Sequence, residues 1–116
     1  MANQHHVDVI FRALGDPTRL AIIDRLTRGP APVSELAAPL AMSLPSAMQH
    51  IAILEQAGLV RSRKVGRVRT CSVDAAALSE AERWISARRV EWESRLDRLA
   101  DVLKTMDDGG NDGADA

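Results

Sequence analysis

A chain of 116 residues, 46% of them apolar, has enough material for one hydrophobic core and too little for two. Aromatic residues amount to 3%, confined to Phe11, Trp84 and Trp92, so the core is expected to be aliphatic and helical, which argues against a large β-sandwich. The formal charge of −1 excludes a uniformly basic coat, and no run of about 18 apolar residues is present to span a bilayer.

Val7, Ile10, Phe11 and Leu14 recur at helical spacing, which predicts an amphipathic helix over residues 4–15 that stops at Gly15. Asp16-Pro17 restarts the chain, with Asp as N-cap and Pro in the first turn. The second helix runs to about Arg28 with Leu20, Ile23 and Leu26 turned inward. Gly29-Pro30-Ala31-Pro32 ends it, because proline lacks the N–H that a continuing helix needs. A short third helix from Val33 to Leu40 buries Val33, Leu36 and Leu40. After the tight turn Ala41-Met42-Ser43, Ser43 caps a fourth helix, which carries Pro45 in its first turn and ends at Gly58. Its inner stripe is Ala47, Ile51 and Leu54, leaving Ser46, Gln49, His50 and Ile53 on other faces.

From Leu59 the apolar period changes to two. Residues 59–63 and 68–73 read as strands joined around Lys64-Val65-Gly66-Arg67. Asp74 caps a last long helix from about Ala75 to Met106. The Gly- and Asp-rich residues 107–116 read as a disordered acidic tail behind one domain over 1–106. The expected architecture is mainly α: about five helices and a small two-stranded wing.

The net charge hides two opposed regions. Arg61, Arg63, Lys64, Arg67 and Arg69 fall within residues 60–70 without an acid, whereas Asp107, Asp108, Asp112 and Asp115 fall in the tail without a base. A concentrated basic strip is what phosphate binding requires, because association gains free energy from counterions released locally. A single cysteine, Cys71, excludes an intrachain disulfide. The first residues lack the basic-then-apolar order of a signal peptide, which points to a cytoplasmic protein.

The third and fourth helices, separated by a short turn, form a helix-turn-helix. Such a motif places its second helix in the major groove and reads bases from that helix's N-terminal part. Ser43, Ser46, Met48, Gln49 and His50 are the candidates here. Glutamine suits adenine in bidentate geometry, Ser and His can meet bases or phosphates, and Met48 can touch a thymine methyl. The hairpin that follows brings Arg63, Lys64, Arg67 and Arg69 to where a wing crosses the DNA backbone or minor groove.

The last helix carries a separate pattern. Leu78, Ile85, Trp92, Leu99 and Met106 recur every seven residues, and Leu96 and Leu103 add positions offset by four. A chain of this length has little other structure to cover such a helix, so the seam beyond Trp92 is expected to pair with a second chain. Two-fold symmetry then sets two recognition helices about one DNA turn apart, on an inverted-repeat operator.

The stretch Phe-Arg-Ala-Leu-Gly-Asp-Pro-Thr-Arg-Leu-Ala-Ile-Ile at 11–23 resembles the opening of ArsR-type winged-helix repressors. So do Val-Ser-Glu-Leu-Ala at 33–37, Met-Ser-Leu-Pro-Ser at 42–46, Gln-His-Ile at 49–51 and Leu-Glu-Gln-Ala-Gly-Leu-Val at 54–60. The resemblance spans roughly residues 7–105. It implies a homodimer built from the first and last helices, which would bring Val7, Ile10 and Phe11 together with Trp92, Leu96, Leu99, Leu103 and Met106. It further implies double-stranded operator DNA as the partner, and repression relieved by a signal such as a small-molecule effector.

Metal-sensing members of that family place cysteine pairs where this chain has Leu36-Ala37-Ala38-Pro39, or Asp and His ligands along a last helix that here has no histidine. Redox-sensing members need paired cysteines. The chain is most similar to a metal-free subgroup, and neither cofactor nor metal is expected. It departs from many relatives at Met48, where a serine is common, and at Pro32, where a capping Ser or Thr is common. Independently of the family, His5, His6 and His50 do not supply the three or four convergent ligands that zinc requires. No phosphate loop or catalytic triad arrangement supports an enzyme. The alternative left open is a protein-interaction module that uses the winged-helix scaffold without specific DNA binding.

Overall fold

A computed structural model describes the backbone of residues 2–115 and the side chains of residues 6–107. The elements run α1 (Ala2–Leu14), α2 (Pro17–Leu26), β1 (Ala31–Pro32), α3 (Val33–Ala37), a 3₁₀ turn (Ala38–Leu40), α4 (Leu44–Gln56), β2 (Val60–Val65), β3 (Val68–Val73) and α5 (Ala75–Asp115). Two compact units divide the chain, Met1–Glu82 and Arg83–Ala116. Apart from Asp107, the acidic segment 107–116 lies outside the residues whose side chains are described.

The first unit is a closed core. Ile10, Ile22, Leu26, Ala47, Ile51, Leu54, Leu59 and Cys71 form one buried cluster with Val33, Leu36 and Ala81. α1 packs against α2 and α4, and α3 against α4 and β3. Desolvation pushes the buried Cys71 thiol above its ordinary pKa.

The sheet has three strands, where two were expected. Ala31-Pro32 pairs antiparallel with Cys71 and Thr70, giving the order β1-β3-β2. The proline-rich stretch that stops α2 thus also serves as an edge strand, a place proline tolerates because its missing N–H is not needed by a further neighbour. The second departure is in α2. Leu20 is 50% exposed, while Ile22, Ile23 and Leu26 are buried. The inward face of α2 is therefore Arg19, Ile22, Ile23 and Leu26, at spacings of three, one and three, and a charged residue occupies the position the apolar pattern had given to Leu20.

Both helices of the helix-turn-helix end in the same motif. After the 3₁₀ turn, Ala41 N–H donates to Ala38 O at 3.2 Å and Met42 N–H to Ala37 O at 3.3 Å. After α4, Gly58 N–H donates to Glu55 O at 3.0 Å and Leu59 N–H to Leu54 O at 2.9 Å. These paired bonds satisfy carbonyls at the helix end and demand a left-handed residue. Gly58, at φ 77, meets that demand freely, whereas Ala41, at φ 52, does so with a Cβ.

The second unit consists of the α5 residues from Arg83 onward. It carries Trp92, Leu96, Leu99, Leu103 and Met106 at 60%, 44%, 53%, 55% and 66% exposure. Arg88 lies over the Trp84 ring at 4.9 Å, and Arg95 bonds Glu91 at 2.7 Å one turn away. No single helix among the described residues is long and apolar enough to cross a membrane.

Candidate nucleic-acid interface

The site begins with how α4 is started and aimed. Ser43 sits at φ −70, ψ 158, outside the helix, and its Oγ accepts the Ser46 N–H at 3.3 Å, the geometry of an N-cap. The Ser43 hydroxyl in turn donates to Ser46 Oγ at 3.1 Å. Pro45 fits the first turn, where its missing N–H would have had no helical partner. Ala47, Ile51 and Leu54, each at 0% exposure, fix the rotation of the helix about its axis. That rotation turns Ser46, Met48 and Gln49 to solvent, and no hydrogen bond or ion pair engages Gln49 or Met48 among the described residues.

His50 is placed differently. Its side chain is 24% exposed, with Nδ1 3.4 Å from Arg19 Nη1 and 3.9 Å from Asp16 Oδ2. Asp16 caps α2 by accepting the Arg19 N–H at 3.0 Å. That backbone bond, with the Arg19 charge beside it, holds its carboxyl below the usual carboxylate range. From the sequence Asp16 is legible only as a cap, and Arg19 carries no local sign of its role beyond its spacing with Ile22, Ile23 and Leu26.

The hairpin turns through Gly66-Arg67, with Gly66 at φ 64, a positive value that suits glycine at the first position of a two-residue hairpin loop. Strand alternation then sorts the basic residues. Lys64 and Arg69 face each other across the ladder on the same side as Ser62 and buried Cys71, while Arg63, opposite Thr70, and Arg61, opposite Ser72, point to the other side.

Two of these arginines are committed within the fold. Arg61 pairs with Asp74 at 2.9 Å. Arg69 donates to Ser62 Oγ at 2.9 Å, and Ser62 donates to Glu55 on α4 at 2.8 Å, so a polar chain ties the wing to the helix. Glu55 is a second residue that sequence reading missed. Arg63, Lys64 and Arg67 are exposed, and no hydrogen bond or ion pair engages them among the described residues. Among the described residues, no group of three or more His, Cys, Asp or Glu side chains is gathered as a metal site.

The residues named for a dimer contact divide in a similar way. Ile10, at 0% exposure, and Val7, at 7%, belong to the chain's own interior, because α1 turns that stripe onto α2 and α4. Little of either side chain reaches the surface of a single chain. Phe11 is half-buried at the edge of the core, and the α5 residues from Trp92 to Met106 are exposed.

A short helix leading through a left-handed turn into a capped, outward-facing helix, followed by a basic hairpin, is a winged helix-turn-helix. Comparison with known proteins agrees. Residues 14–63 match the family described as a helix-turn-helix domain. The chain is 39% identical over 79 residues to the HTH-type transcriptional regulator Rv2034 of Mycobacterium tuberculosis, covering 68% of this chain and 74% of that protein. It also matches the crystal structure of an ArsR family transcriptional regulator, RHA00566, at 48% identity and a TM-score of 0.75, over 78% of this chain and 94% of that one.

The chain belongs to the ArsR family of transcriptional regulators. A solution structure of the homodimeric winged helix-turn-helix DNA-binding domain of a possible ArsR-family regulator from Mycobacterium bovis resembles it at 26% identity and a TM-score of 0.61, over 84% of this chain and 87% of that one. The family and fold of this chain are those of DNA-binding transcriptional regulators.

Proposed function

We propose that this ArsR-family regulator represses transcription by binding an inverted-repeat operator as a homodimer, with residues 1–106 as the functional unit. α4 enters the major groove, presenting Ser46, Met48, Gln49 and His50, with Ser43 holding the first turn. The wing tip meets the phosphate backbone through Arg63, Lys64 and Arg67, while Arg69 orients the wing from its bond to Ser62.

One observation carries this reading. The cations at the wing tip have no partner among the described residues, whereas the neighbouring Arg61 and Arg69 are engaged. Lys64 and Arg69 also stand directly opposite each other, a like-charge pair that is unfavourable on its own and favourable once a phosphate lies beside it. The homodimeric relative supports the two-fold arrangement, as do the exposed apolar residues Trp92, Leu96, Leu99, Leu103 and Met106.

Lys64→Ala and Arg67→Ala, measured by fluorescence anisotropy on a duplex selected with the native protein from a random library, test the reading. Each is expected to weaken binding across sequences and to lower the slope of log affinity against log salt by about 1. Unchanged affinity and slope in the double variant would overturn the wing's phosphate contacts, and failure of the native protein to enrich any duplex would favour the protein-interaction reading.

A further inference from the structure

Arg19 is pinned before it reaches α4. Its Nε donates to Ala13 O at 2.6 Å and its Nη2 to Arg12 O at 3.3 Å, both carbonyls in the last turn of α1. Its own backbone N–H is held by Asp16 Oδ2 at 3.0 Å. The remaining arm, Nη1, points at His50 Nδ1 across 3.4 Å. A guanidinium carries five N–H donors and no acceptor, and it does not lose its proton in a protein. A ring nitrogen within hydrogen-bond reach of it must therefore turn a lone pair toward it.

We infer that Arg19 fixes His50 in the Nε2–H tautomer, so that α4 presents an N–H donor to an acceptor on DNA at this position. This rests on the reading of α4 as the DNA-facing helix. The competing influence on Nδ1 is Asp16 Oδ2, which would draw a proton onto that atom, but at 3.9 Å it lies outside hydrogen-bond range while Arg19 lies inside it. The other ring nitrogen is available. No bond to His50 Nε2 exists among the described residues, and no side-chain nitrogen or oxygen is both buried and without a partner. Nε2 thus reaches solvent from a side chain that is 24% exposed.

The specificity consequence follows from the tautomer. An Nε2–H selects a phosphate oxygen, guanine N7 or O6, adenine N7 or thymine O4, and rejects the amino groups of cytosine and adenine. It also joins α1 to the DNA-reading helix through one side chain, since the same guanidinium bonds the carbonyls of Arg12 and Ala13.

The first test does not involve DNA. Long-range proton–nitrogen correlation spectra of the native protein at about pH 8, where an ordinary imidazole is neutral, report which His50 nitrogen carries the proton. The expected result is Nε2–H in the native protein, with that preference weakened in Arg19→Leu and retained in Arg19→Lys. A proton on Nδ1 in the native protein overturns the assignment.

The second test uses the library-selected duplex. His50→Gln places an amide N–H near the Nε2 position and should bind within about twofold of native. His50→Asn reaches only the Nδ1 position and should bind about five- to tenfold more weakly, the worth of one net hydrogen bond. Equal losses in the two variants overturn the proposed donor. Gln49→Ala separates the premises: if it leaves affinity unchanged, the reading of α4 fails, and the spectrum alone decides the tautomer.

Discussion

The two units of this regulator handle their apolar residues in opposite ways. In Met1–Glu82 the aliphatic side chains close on one another, and Ile10, Ile51, Leu54 and Leu59 reach 0% exposure. In Arg83–Ala116 the apolar residues are as regularly spaced, yet Trp92, Leu99 and Met106 remain 60%, 53% and 66% exposed. Periodicity thus guarantees a face and not its cover. A stripe is buried within its own chain only when other elements of that chain are available to meet it, and from Arg83 onward the unit is one helix.

The largest effect should come from breaking the second unit. Leu96→Glu with Leu99→Glu puts charge on the exposed seam, and sedimentation should show a monomer whose affinity for the selected duplex falls about a hundredfold or more, since two linked half-sites bind far better than one. A variant that stays dimeric would place the pairing surface elsewhere.

In the first unit the corresponding break is Leu54→Ala. Removing a side chain at 0% exposure should lower unfolding free energy by about 2–5 kcal/mol in urea titrations. That loss should not depend on protein concentration beyond what the native protein shows.

A smaller change sharpens the contrast by improving the first unit alone. Ala41 holds φ 52 at a helix end where its counterpart Gly58 has no Cβ. Ala41→Gly should therefore raise stability by up to about 1 kcal/mol, relief of left-handed strain outweighing the entropy glycine adds to the unfolded chain. A lower urea midpoint would show that the turn is not strained.

The smallest effect concerns acid. Asp16 and Asp74 have carboxyls held below the ordinary 3.8, chiefly by the backbone N–H groups of Arg19 and Ala76 respectively. A depressed folded-state pKa contributes stability that is present above the unfolded value and lost as pH falls through the folded one. The native urea midpoint should thus decline as pH drops below about 4. In Asp16→Asn with Asp74→Asn the decline should be shallower, because an amide cap has no proton to gain.

Much of this fold is legible residue by residue because the decisive interactions are local. Ser43 caps α4 through a residue three positions away, Asp16 caps α2 in the same manner, and Gly58 and Gly66 end or reverse the chain by their own backbone freedom. The stripe Ala47, Ile51, Leu54 likewise needs only the helical period. The helix-turn-helix, the hairpin and the start of α5 therefore follow from local pattern within a few residues, and Gln49 and Met48 fall on the exposed face of α4.

What tertiary structure alone decided are choices between residues of equal local merit. Leu20 and Arg19 are neighbours on α2. Arg19 turns inward because the carbonyls of Arg12 and Ala13 and the ring of His50, 31 positions along the chain, converge on it. Ala31-Pro32 becomes a strand only because β3 arrives beside it, and Ile10 is interior only because α2 and α4 close over it. The basic residues of the wing look alike in sequence. Asp74 and Ser62 occupy Arg61 and Arg69 and leave Arg63, Lys64 and Arg67 without a partner among the described residues, because a charge is free or spent according to what the fold sets beside it.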